Sequence, residues 1–181
     1  MRLAFEAQRV HRAGGEVIAV SVDDAERQAA MFARWPTPHI WYQSDPAGDT
    51  YLRPLDLFDP VERDGIAVPA SLVLDPDGNE VYRDRGRDFA DRTRQDETLR
   101  ALEALGLGAI DPPAGGPVAD VATDQRGAFQ PRMMSPYFRG NRSAALAIGG
   151  RADGDEAKAL AREHRHMCDD TLAAWDALKR S

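Results

Sequence analysis

Apolar and polar positions alternate along the chain in a way that separates helices from strands. Over residues 2–13, Leu3, Ala7 and Val10 recur at helical spacing among Arg and Glu, and Gly14-Gly15 ends the pattern. The run "EVIAVSV" at residues 16–22 is continuous and β-branched, which predicts a strand buried on both faces of a sheet. Asp23 and Asp24 offer an N-cap to the next amphipathic stretch, "AERQAAMFARW", which Pro36 and Pro38 stop. "HIWYQSD" at residues 39–45 predicts a second short strand.

Residues 46–65 hold too much Pro, Gly and Asp for regular structure. "PASLVLD" (69–75), the turn "PDGN" (76–79) and "EVYRDRG" (80–86) then predict a β-hairpin. "DETLRALEALGL" follows as an amphipathic helix carrying Leu99, Leu102 and Leu105. "GAIDPPAGGPVAD" (108–120) marks a boundary, so the chain divides into a domain over 1–107 and an extension over 108–181. Within the extension, "SAALAIGG" (143–150) is a spare apolar run of strand length. A helix from about residue 155 to the end aligns Ala157, Leu160, Ala161, His164, Met167, Cys168, Leu172, Trp175 and Leu178 on one stripe.

Composition narrows the function classes. With 43% hydrophobic and 29% charged residues, the chain of 181 residues is globular rather than disordered. A net charge of −7 argues against nucleic acid and anionic membrane as partners, since both select cationic surfaces. No apolar run approaches the ~20 residues of a membrane span, and the N-terminus is too polar for a secretory signal, so a cytoplasmic location is expected. One cysteine, Cys168, excludes an intrachain disulfide and a cysteine-rich zinc site. His164 and Cys168 share a helix face, but two ligands do not make a metal site, and neighbouring Asp169 and Asp170 disfavour a thiolate. Cys168 therefore reads as a buried structural residue, and no metal or cofactor is expected.

Three blocks carry a resemblance: "GGEVIAVSVDDAERQAAMFARW", "SDPAG" and "VPASLVLDPDGNEVYR". In this order and spacing they resemble the redoxin branch of the thioredoxin-like superfamily, which includes the alkyl hydroperoxide reductase and thiol-specific antioxidant (peroxiredoxin-like) proteins. The resemblance covers about residues 1–107. It implies an α/β, thioredoxin-like three-layer sandwich with an incomplete N-terminal βα unit, followed by the C-terminal extension. It also implies thiol-based antioxidant or disulfide oxidoreductase descent, with a peroxide or a protein dithiol as substrate. By resemblance, Val68 and Pro69 form the cis-proline site that faces the reactive thiol.

Two departures accompany it. The family's reactive cysteine lies at the N-terminus of its first helix, where thiolate is stabilised. Residues 1–13 look like the later part of that helix, which places the thiol about two turns upstream of Met1. Peroxiredoxins also carry an arginine near the start of the strand that begins here with Pro69, which tilts the implied chemistry toward disulfide exchange.

The family's central strand would lie between the strands at 16–22 and 69–75, and without it two sheet edges lose their partners. Three explanations stay open. The chain begins at an internal Met; or residues 143–150 insert as the missing strand; or the two strands close on each other or pair with a partner chain, which would favour a homodimer. As the chain stands, the implied reaction lacks its thiol. The alternative is a non-catalytic binding or scaffold protein derived from a redoxin.

Outside the resemblance, "MMSPYFRGNR" (133–142) is the most unusual stretch. Arg132, Arg139 and Arg142, with Gly140-Asn141, suggest an anion-binding turn. The competing reading is a docking loop whose arginines pair with surplus acids. The mixed-charge run at 82–97 reads as a solvated loop and helix start. Trp35, Trp41 and Tyr42 read as core or pocket wall, and His39 starts a strand with no evident partner.

Overall fold

Strand β1 (Val17–Ser21) and strand β2 (Ile40–Ser44) pair in parallel, from Val17 opposite Ile40 to Ser21 opposite Ser44. The computed structural model that shows this describes residues 3, 6–87, 95–126 and 128–180. Helix α1 (Ala7–Arg12) leads into β1 through Gly14 at φ +77°. A side chain there would meet Gly108 O and Leu107 Cβ at 2.6 Å, so both conformation and space demand glycine. Helix α2 (Ala25–Arg34) links the two strands; Asp24 Oδ1 accepts from Arg27 N at 2.8 Å and caps it.

Two short strands, β3 (Phe58–Asp59) and β4 (Ile66–Ala67), form an antiparallel ribbon. The hairpin follows as β5 (Ala70–Leu74) and β6 (Glu80–Arg85). Asp75 closes its turn, with Oδ1 accepting from the backbone N–H of Asp77 at 3.0 Å and of Asn79 at 2.8 Å. Helix α3 (Gln95–Ala104) packs on the hairpin and on α1, and its Leu99 is 1% exposed. Arg9 of α1 grips Glu103 of α3 through two bonds of 2.6 and 2.9 Å.

The architecture is therefore mixed α/β. Among the described residues the strands form three two-stranded sheets, and β1 and β5 belong to different ones. Direct closure of β1 on β5 is thus not observed. Nor is β1 buried on both faces as its apolar run predicts, because Ile18 is 66% exposed. Part of the first expected helix (residues 2, 4 and 5) and part of the mixed-charge run (residues 88–94) lie outside the described residues.

The Pro/Gly stretch after residue 107 is not a linker. It runs along the far edge of β2: Tyr42 N donates to Gly116 O at 2.9 Å, Val118 N to Tyr42 O at 3.0 Å, and Gly115 N to Pro38 O at 2.5 Å. Proline suits this edge because the position requires no ladder N–H from it, and Pro117 forms the parallel bridge with Tyr42. Gly115 lies so close to β2 that a Cβ would meet Ile40 backbone atoms at 2.7–3.0 Å. The chain accordingly divides after Ala128, into Met1–Ala128 and Phe129–Ser181, rather than near residue 107.

The second unit is a helical hairpin. A turn over Pro131–Met133 leads into α4 (Met134–Arg151), and α5 (Asp155–Leu178) packs back along it. Pro136 is tolerated because it falls in the first turn of α4, where its missing N–H breaks no helical bond. The segment 143–150 is thus helical, which overturns its expected insertion as a strand. Its physical reason is local: Ala144, Ala145, Leu146 and Ala147 are strong helix formers, and only Ile148 is β-branched. The helix over the C-terminal stripe starts where the pattern places it, at Asp155.

Candidate functional site

The start of the hairpin is the site the sequence singles out. Val68 is buried at 6% exposure and Pro69 is half-buried. Val68 N donates to Leu57 O at 2.8 Å, and Pro69 O accepts from Gly86 N at 2.7 Å. The Val68–Pro69 bond is trans, since no cis peptide occurs among the described residues. This corrects the cis-proline expectation. The trans isomer is the intrinsically favoured one for an X–Pro bond, by about 0.5–1 kcal/mol.

A dense polar scaffold surrounds this junction. Asp45 is 4% exposed, and its carboxylate accepts backbone N–H bonds from Thr50 (3.2 Å), Tyr51 (2.8 Å) and Leu52 (3.0 Å). Burial pushes its pKa up, but the bonds from Leu52, Tyr51 and Thr50, with the charge of Arg53, outweigh that and hold it below the ordinary aspartate value. The loop so ordered presents its carbonyls to β6. Arg83 Nη1 donates to Leu55 O at 2.7 Å and Arg85 Nε to Asp56 O at 3.0 Å. Arg83 is itself held by Glu80 at 2.6 and 2.8 Å. Arg53 stacks 3.9 Å above the Phe58 ring. The "SDPAG" block of the sequence is therefore a loop organiser, and Val68–Pro69 is where loop and hairpin are tied together.

The C-terminal ends of β1 and β2 form a second polar cluster, where α/β folds commonly place ligands. Ser21 Oγ lies 3.2 Å from Asp23 Oδ2 and accepts from Gln28 Nε2 at 3.2 Å, while Ser44 Oγ donates to Asp23 O at 2.7 Å. Gln28 is 5% exposed. Sequence reasoning read Asp23 and Asp24 as a helix cap and took neither them nor the two serines as site residues. The signal was there: "SVDD" ends one strand and "QSD" ends its parallel neighbour.

The remaining candidates scatter. Gly140 and Asn141 are helical, so the anticipated anion-binding turn is absent; Asn141 Nδ2 instead donates to Tyr137 O at 3.1 Å. Arg142 Nε bonds Asp169 Oδ1 at 2.5 Å, Arg139 projects from the same helix, and Arg132 is exposed in the turn before it. Tyr137 stacks edge-on between Phe129 (5.5 Å) and Phe138 (5.2 Å). Tyr42 meets Phe32 edge-on at 6.1 Å, and Trp41 Nε1 donates to Glu16 at 3.2 Å, which places both as structural aromatics. His39 Nε2 is buried without a hydrogen-bond partner among the described residues. A shallow depression of about 310 Å³ lies between α1 and α3, lined by Arg9, Arg12, Ala13, Glu103 and Leu107.

Cys168 sits in α5 at 0% exposure, with no disulfide. Among the described residues no three His, Cys, Asp or Glu side chains cluster as metal ligands, and no helix is long and apolar enough to cross a membrane. Comparison with family models, curated proteins and solved structures finds no match for this chain.

Proposed function

We propose that the first unit is a redoxin-like domain of thiol-disulfide oxidoreductase descent that, as this chain stands, runs no thiol chemistry of its own. The observation that carries this reading is the state of the chain's one cysteine: Cys168 has no exposed surface. Thiol exchange and peroxide reduction both need an accessible thiolate. The hairpin at 70–85 and the ordered helix–strand–helix–strand series before it support the descent.

The test is direct. An aromatic disulfide reagent should titrate no thiol in the native chain and one thiol per chain in denaturant. Peroxide consumption and insulin reduction, with dithiothreitol as electron donor, should stay at background. Turnover that disappears on Cys168→Ser would overturn the reading.

A second reading is a binding or scaffold role for the same domain. It is favoured by Ile18, 66% exposed on a strand that, among the described residues, pairs on one side only. An exposed β-branched residue beside an open strand edge suits a protein contact. Replacing Ile18 with lysine separates the two: it leaves a merely inactive redoxin unchanged and abolishes a contact made through β1.

A further inference from the structure

Aspartate followed by glycine can rearrange without any reagent. The glycine nitrogen attacks the side-chain carboxyl carbon of the aspartate, and glycine permits this because it has no Cβ to hinder the approach. The chain contains three such pairs, Asp64-Gly65, Asp77-Gly78 and Asp153-Gly154, and all three aspartates are exposed. Dipeptide chemistry and exposure rank them equally. Their hydrogen bonds do not.

At Asp64-Gly65 the attacking nitrogen is engaged, since Gly65 N donates to Glu62 O at 3.0 Å. The space beside it is filled as well: a Cβ on Gly65 would lie 2.7 Å from Phe58 Cζ. At Asp77-Gly78, Gly78 N donates to Asp75 O at 3.0 Å, and Asp75 Oδ1 holds Asp77 N and Asn79 N on either side of it. Either nitrogen must leave its turn before it can attack.

Asp153-Gly154 differs on each count. It closes the link over residues 152–154 that joins α4 to α5, and both of its residues are exposed. Among the described residues Gly154 N–H makes no hydrogen bond, and the Asp153 carboxylate has no partner. Only the Gly154 carbonyl is used, accepting from Lys158 N at 3.2 Å. No atom lies within 4 Å of the place a Gly154 Cβ would take, so a ring has room to close.

We infer that Asp153 is a site of spontaneous covalent modification, converting to isoaspartate through a cyclic imide with Gly154. Gly154 N forms a bond to Asp153 Cγ, the carboxyl C–OH bond breaks, and the amide proton leaves with that hydroxyl as water. Water then adds to the main-chain carbonyl carbon of Asp153, and its bond to Gly154 N breaks. The main chain now runs through Cβ and Cγ, and the former main-chain carbonyl is a free carboxylate. The water lost equals the water gained, so mass and oxidation state are unchanged. The link between the helices becomes one atom longer. It also gains an isoaspartyl carboxylate, the group that isoaspartyl methyltransferases take as substrate.

Ageing the full native chain in mildly acidic buffer at physiological temperature tests this. Peptide mapping should reveal an isomer of the peptide containing Asp153 with unchanged mass and shifted retention. An isoaspartyl methyltransferase with a labelled methyl donor should mark the same peptide. Conversion at Asp153 should run at least about fivefold faster than at Asp64 or Asp77, the factor set by one amide hydrogen bond worth about 1 kcal/mol net. In denaturant, where those bonds are gone, the three sites should convert at similar rates. Asp153→Glu should abolish the native signal, because glutamate would have to close a slower, six-membered imide. Native conversion at Asp64 or Asp77 that matches Asp153 overturns the inference. So does an Asp153 that stays intact in the native chain over a period in which the denatured chain converts it. A methyl label that persists undiminished in Asp153→Glu overturns it too.

Discussion

In the first unit one carboxylate, Asp45, gathers three backbone N–H groups and so sets a loop that in turn receives Arg83 and Arg85. In the second unit the buried residues are Met134, Ala145, Ala161 and Cys168, and the Arg142–Asp169 and Lys179–Asp176 ion pairs are exposed. The first unit is short strands and turns, whose backbone groups need individual partners. The second satisfies its backbone within its own helices and needs only a surface to pack against. The same difference separates the two residues that attract chemical attention. Pro69 is tied on both sides by main-chain bonds, whereas Cys168 is one apolar group in a seam.

Substitutions can break or sharpen this contrast. Leu99→Ala carries the largest effect, about 2–5 kcal/mol, because a fully enclosed leucine leaves a cavity. Hydrogen exchange under urea should show lost protection in the first unit, with α4 and α5 unchanged. Equal loss in both would mean that the two units unfold as one, and the contrast would fail.

Asp45→Asn comes next, at about 1–3 kcal/mol, since one amide oxygen cannot serve the three N–H donors that the buried carboxylate gathers. Its pH dependence has a definite sign. The folded pKa is lowered, so the stabilisation is complete above the unfolded aspartate value of about 3.9 and is lost as pH falls through the folded value. The urea midpoint of the native chain should therefore drop below about pH 4, and the Asn variant should lack that part of the decline.

Arg142→Ala is the smallest, at about 0–1 kcal/mol, because both partners of its ion pair are more than two-fifths exposed. A larger loss in thermal unfolding of the helical hairpin would show that charge, not packing, holds the second unit.

The sequence reading succeeded where the signal is local. "PDGN" between "PASLVLD" and "EVYRDRG" specifies a hairpin through turn geometry, and Asp24 specifies a helix start through one hydrogen bond. The periodic stripe of α5 likewise placed Cys168 inside. It failed in two ways. "SAALAIGG" has the length and polarity of a strand, yet its alanines favour helix, a local signal that was outweighed by the search for a missing strand. The other failure came where a segment's partner lies far along the chain. The Pro/Gly run 108–120 looks like a linker until Gly115 and Gly116 are seen bonded to the edge of β2.

By itself, then, the amino-acid order determined β1, β2, the β5–β6 hairpin and its turn, the capped start of α2 and the apolar stripe that buries the single thiol, because each follows from a pattern within a few residues or turns. Tertiary structure alone decided that the strands of the described residues form three separate pairs, that Val68–Pro69 is trans and serves as a structural tie, and that Ser21, Asp23, Gln28 and Ser44 meet at one end of the parallel pair. Those outcomes depend on which distant groups arrive to satisfy a given backbone bond or cover a given face. Local propensity carries no term for that choice.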